Sequence, residues 1–176
     1  MNRDSFLLLF ALTLALIAAI IDVQHHRIPN WLTYPGILLG LGFRGVLFGW
    51  KGLLSALVGC LLAGGIMLLF YVVRAMGAGD VKLMAAIGAL VGPREVGAVL
   101  IATGIFGGVL AIAIALYRRR MISTLKNLGS VVKFHAWAGA QAHPELNLDN
   151  PVALRMPYGL AIALGTLYAF VAVWWR

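Results

Sequence analysis

Acidic residues are scarce in this sequence: six in 176, against fourteen lysines and arginines, and only 11% of the residues carry a charge. With 62% hydrophobic residues and a mean hydropathy of +0.94, the chain is far more apolar than a soluble domain and is expected to be an integral membrane protein. The formal net charge of +8 does not point to nucleic acid. Nucleic-acid modules carry their basic residues on a polar, water-soluble face, whereas here they lie between apolar runs, as in membrane loops. Cysteine is almost missing too. Cys60, alone in an apolar run, excludes an internal disulfide and a cysteine-rich zinc site, and reads as a small buried residue.

What is abundant is apolar sequence in long runs. A helix needs roughly 17 to 25 such residues to cross the hydrocarbon core. Runs at residues 6–21, 34–50, 52–73, 96–117 and 157–175 qualify or nearly do, and a sixth at 81–92 is short. Arg3 ahead of the first run gives it the look of a secretory signal, but "AAIIDVQHH" has no convincing small-residue cleavage site, so this run is expected to be retained.

Lysine and arginine are held preferentially on the cytoplasmic side. With the N-terminus outside, the inner loops hold Arg27, Arg74, Lys82, Arg118, Arg119, Arg120, Lys126, Lys133 and Arg155, and the outer segments hold Arg3, Lys51, Arg94 and Arg176. Nine against four favours this orientation, with both termini extracytoplasmic. The long loop at 118–156 is then cytoplasmic. Ile122, Leu125, Leu128 and Val132 fall at helical spacing within it, which suits a helix lying on anionic lipid, although a plain solvated loop fits nearly as well. No repeat or separate soluble region stands out, so residues 1–176 read as one domain.

The acids can now be placed. Asp4, Glu95, Glu145 and Asp149 fall in tails or loops where water solvates a carboxylate, while Asp22 and Asp80 adjoin membrane segments. The first run heads inward and ends at Asp22, and the short run starts inside at Asp80 and heads outward. Both carboxylates are therefore expected at similar depth near the cytoplasmic face, where desolvation makes an ionisable group costly and a functional candidate. Asp80 also has a structural reading, as the N-cap of the helix that follows "GAG". Asp22 sits at a helix C-terminus, where a carboxylate opposes the dipole, and its bland alternatives are a salt bridge to Arg27 or exposure at the interface. Gly77 and Gly79 permit positive φ and close approach of another chain, and suit a segment that begins inside protein and faces a wet cleft open to a substrate strand.

Two carboxylates that approach closely cannot both ionise easily, so one keeps a proton and the pair titrates as a unit. The ionised member then takes a proton from water as it attacks a carbonyl, and the protonated member donates to the carbonyl oxygen. This is aspartic peptide hydrolysis. It uses no metal and no cofactor.

In these residues the chain resembles a known family. "GAGDVKL" resembles the G-x-G-D signature of membrane aspartic proteases, and "DVQHHRIPN" resembles the first-aspartate signature of the type IV prepilin peptidases, carried here by Asp22, Ile28, Pro29 and Asn30. The likeness extends to "MPYGLAIALG" before the last run. It implies an all-α, polytopic bundle of about six transmembrane helices in a bacterial inner membrane, with Asp22 and Asp80 as the catalytic pair and Gly77 and Gly79 beside the second. It further implies cleavage of the basic leader from prepilin or pseudopilin precursors at the cytoplasmic face. The small size resembles the branch that serves Flp-type, tight-adherence pili. Longer members carry an N-terminal region with paired cysteines and also methylate their product; without such a pair here, methyl transfer is not expected.

Other residues have lesser roles in this reading. Pro29 fixes a bend and Asn30 is able to cap the next helix, both positioning Asp22. Lys82, two residues from Asp80, points away from it on a helix and reads as an interface anchor. Arg44, some six residues inside the second run, is expected to snorkel outward. His25, His26, His135 and His143 show no zinc-ligand spacing. The rival to a peptidase is a small transporter or channel using Asp22 and Asp80 as ion or proton sites, which would place a carboxylate near the bilayer midplane or pair broken helices in two halves. Neither pattern is found. A further rival is an inert assembly protein whose aspartates only cap helices.

Overall fold

Proline, glycine and charge mark where the helices start and stop. The computed structural model describes residues 3–119, 129, 130, 134, 137 and 156–175. Five α-helices are described: α1 (Arg3–His25), α2 (Asn30–Val72), α3 (Ala78–Val91), α4 (Pro93–Tyr117) and α5 (Tyr158–Trp174). α1, α2 and α4 are long and apolar enough to cross a membrane, and α5 is a shorter apolar helix. Apart from isolated positions, the surface helix expected at 118–156 lies outside the described residues.

α2 is 43 residues long because two helices meet at Gly49, whose backbone (φ 63°, ψ −151°) is not helical. Only glycine adopts such a conformation without strain. The chain reverses there, as the neighbours of each arm show. A Cβ added at Gly36 would meet Ala86 and one at Gly40 would meet Ala89, whereas one at Gly59 would meet Gly88 and one at Gly64 would meet Ala85. The first arm therefore runs alongside α3 in the same direction, and the second runs against it. Small residues let both backbones come close, the mode of packing that lipid favours over apolar burial.

α3 is the hub of the bundle and packs on all four other helices. Leu83, Ala86, Ile87, Ala89 and Leu90 are fully buried. A helix that is apolar all round has this fate when protein surrounds it. Its 14 residues rise only about 21 Å, short of the roughly 30 Å hydrocarbon core. Leu38, Leu61, Leu69, Ile101 and Ile105, on α2 and α4, are by contrast more than 60% exposed, as befits side chains that face lipid.

α3 stops at Gly92 (φ 75°), and Pro93 opens α4 directly. Here the expectation for Arg44 is overturned. Its side chain does not snorkel outward but is buried, with Nε donating to the Leu90 carbonyl at 2.8 Å, one guanidinium nitrogen to the Val91 carbonyl and the other to Ser55 Oγ at 3.0 Å. Asp4 lies 3.5 Å away as its counter-ion. The first arm of α2 runs parallel to α3, so Arg44, one turn beyond the contact of Gly40 with Ala89, falls beside the end of α3, where orphan carbonyls and the negative end of the dipole hold the cation. Arg44→Met strands those carbonyls and is expected to cost about 2 kcal/mol or more. A thermal unfolding midpoint in detergent equal to that of the wild type excludes the capping role.

Candidate active site

Asp22 lies in the last turn of α1, which continues three residues past it to His25, and the residue is only 7% exposed. Neither bland alternative holds: the side chain is not at the surface, and among the described residues no ion pair joins it to Arg27. What offsets the unfavourable dipole of α1 is the start of another helix. The Gly159 N–H, in the first turn of α5, donates to Asp22 Oδ2 at 2.8 Å. First-turn N–H groups have no partner within their own helix, and the dipole there is positive. Glycine suits this approach, since a Cβ would lie 3.0 Å from both Cβ and Oδ2 of Asp22 and would press the carboxyl group aside by a few tenths of an ångström.

Asp80 stands three residues after the N-cap of α3, which is Gly77, and not at the N-cap itself. Its Oδ2 reaches back to accept the Gly77 N–H at 3.1 Å. This is the return half of a capping box, with a glycine that has no side chain to reciprocate. Both carboxyl groups thus have the same pattern: a backbone N–H holds Oδ2, and Oδ1 has no hydrogen bond among the described residues. The groups also lie close enough for the charge of Asp22 to act on Asp80, and Asp80 in turn acts on Tyr158 beside Gly159.

The two sequence motifs meet. A Cβ on Gly79 would lie 3.0 Å from Ile28 Cβ, so the segment 28–30 packs directly on the first turn of α3. This corrects two expectations for the glycines. Gly77 has φ −80°, and among the described glycines positive φ is confined to Gly49 and Gly92. The close approach permitted by Gly79 is taken up by Ile28 of the same chain and is not left open to a substrate strand. Pro29 is the N-cap residue of α2, with extended backbone (φ −74°, ψ 146°), as a bend-fixing proline should be. Asn30 does not cap α2. Its Oδ1 accepts from Lys82 Nζ at 2.9 Å, and the ammonium also lies 4.9 Å from the centre of the Tyr34 ring.

Gly159 and Tyr158 are the site residues that sequence reasoning missed. The signal was present in "MPYG": a proline opening an apolar run marks a helix start, and glycine in the first turn, a poor helix former, suggests a close neighbour. His25 and His26 are exposed. Among the described residues no three of His, Cys, Asp and Glu gather as a metal site requires. A cavity of about 500 Å³ opens at the other end of α3, lined by Arg44, Lys51, Ser55, Gly92 and Arg94 among others, and has no part in the aspartate site.

The family model of type IV leader peptidases matches residues 9–112, more than half of the chain, taking in both aspartates, the segment 28–30 and the glycines at 77 and 79. No curated protein and no solved structure matches with significance. The match ends before α5, so the Gly159 contact lies beyond it. Membrane-crossing helices, a buried and a half-buried aspartate each held by a backbone N–H, and this match agree, and the chain belongs to the type IV leader peptidase family, whose members are prepilin peptidases of the aspartic endopeptidase type.

Proposed function

We infer that Asp22 and Asp80 are the catalytic pair and that the protein removes the basic leader from Flp-type prepilins at the cytoplasmic face of a bacterial inner membrane. The observation that carries this reading is the matched state of the two carboxyl groups, each with one oxygen held by a backbone N–H and the other without a hydrogen bond among the described residues, with Asp80 within reach of the charge of Asp22. A water between the unbonded oxygens loses a proton to the ionised member as its oxygen attacks the scissile carbonyl carbon. The protonated member donates to the carbonyl oxygen. Collapse of the tetrahedral intermediate breaks the C–N bond as one hydroxyl proton returns to the aspartate that had donated, and the proton taken from water passes to the leaving amine. Gly77, Gly79 and Pro29 support the pair by fixing the backbone around it.

The wider topology follows the same reading. The two arms of α2, separated by the reversal at Gly49, act as two spans, and with α1, α3, α4 and α5 they make six, with both termini outside and one peptidase domain over residues 1–176. The basic loop at 118–156 then faces the cytoplasm and its anionic lipid. Purified protein in detergent, given a Flp-type precursor, is expected to make one cut ahead of the hydrophobic pilin helix, read as a new N-terminus by mass spectrometry. EDTA is expected to leave the rate unchanged. Failure to cut unaided, or loss of cutting in the chelator, overturns the two-carboxylate mechanism.

A further inference from the structure

A lysine at the cytoplasmic edge of a membrane helix ordinarily reaches for headgroups. Lys82 does otherwise: its ammonium crosses to the start of α2, donates to Asn30 Oδ1 at 2.9 Å and sits 4.9 Å from the centre of the Tyr34 ring. Asn30 and Tyr34 are one helical turn apart, so they offer a two-point seat, a carboxamide oxygen and an aromatic face, on one side of α2. The carboxamide of Asn30 is free for this because the N-terminus of α2 has no side-chain cap.

The position of this contact matters more than its strength. Lys82 lies two residues after Asp80, just past the first turn of α3, and Asn30 opens α2 directly after the short segment that follows α1 and Asp22. Between them, Gly79 abuts Ile28. The segment bearing one aspartate is therefore fastened to the segment bearing the other at two successive points, one apolar and one polar. We propose that Lys82 is a positioning residue, which holds the start of α2 against α3 through Asn30 and Tyr34 and so sets the separation of Asp22 and Asp80. It touches neither carboxylate. This rests on the reading of those two residues as the catalytic pair, and acid–base partners tolerate little displacement: a 1 Å misplacement costs up to about a hundredfold in rate.

The test is steady-state cleavage of a purified precursor by Lys82→Met, Lys82→Arg, Asn30→Ala and the Asn30→Ala/Lys82→Met pair, with Asp22→Asn alongside and thermal midpoints recorded in the same detergent. Lys82→Met and Asn30→Ala are each expected to lower kcat about tenfold with KM within about twofold. Their combination is expected to be no slower than either alone, because each breaks the same contact. Lys82→Arg, whose guanidinium still bonds the carboxamide and stacks on the ring, is expected to recover most of the rate. Wild-type kcat in Lys82→Met, a multiplicative loss of about a hundredfold in the pair, or an effect confined to KM each overturn the proposal. Should Lys82→Met fail to fold, Asn30→Ala at its exposed position decides alone. Cleavage by Asp22→Asn at the wild-type rate would instead remove the catalytic pair itself.

Discussion

Replacing Asp22 by Asn is expected to lower prepilin processing by about 10³-fold or more, and Asp80→Asn is expected to do the same. The change is nearly isosteric. A carboxamide oxygen at position 22 still accepts the Gly159 N–H, now made at 2.8 Å, and one at position 80 still accepts from Gly77, now at 3.1 Å. The bundle and its caps are therefore expected to survive, and what the substitution removes is the ability to take up and release a proton at Oδ1. On the proposed mechanism the two groups act on one water, so removing both is expected to slow processing little beyond the loss from either alone. The measurement is the initial rate of precursor cleavage by folded, purified variants. Either single variant working at the wild-type rate excludes that residue from the chemistry.

Gly159→Ala is expected to slow processing by about a hundredfold while leaving the protein folded. The new methyl group would sit 3.0 Å from Cβ and Oδ2 of Asp22 and 3.3 Å from the Ala19 Cα. α1 cannot yield easily on that side, since Ala15, Ala18 and Ala19 are buried. The Asp22 side chain or the start of α5 is then expected to shift by a few tenths of an ångström, which lengthens the bond from the Gly159 N–H and displaces the carboxyl group. Alanine also raises helix propensity by about 1 kcal/mol over glycine, so a general loss of stability is not the expected cause. Gly104→Ala on α4 is the comparison, because nothing lies within 4 Å of a Cβ added there. A Gly159→Ala enzyme as fast as Gly104→Ala shows that the contact with α5 has no bearing on catalysis.

The pair of aspartates was legible because acids are so few. With six in the chain, two that border apolar runs on the same side stand out, and the motifs around them carry the family likeness. The division of residues 34–73 into two runs was legible as well, and Gly49 turns the chain beside the expected boundary. Local register was harder. Asp80 looks like an N-cap because the true one, Gly77, has no side chain to announce it. Arg44 was misread because distance from the end of a run says nothing about what folds back alongside it, in this instance the carbonyl end of α3. Periodicity reports which face of a helix is apolar and not which distant helix meets it. That is why the partners of Asp22 and Lys82, which lie 137 and 52 residues from them, could not be read.

Those separations also set an order of events during synthesis. Contacts between Arg44 and Leu90 and between Asn30 and Lys82 need nothing beyond the first 92 residues, so α1, α2 and α3 have all the chain they require to assemble early. Gly159 emerges from the ribosome 67 residues after Gly92, where α3 ends. Until then the buried carboxylate of Asp22 waits without its N–H partner. On the reading of Asp22 as half of the catalytic pair, the site stays incomplete until α5 is made and docks on α1.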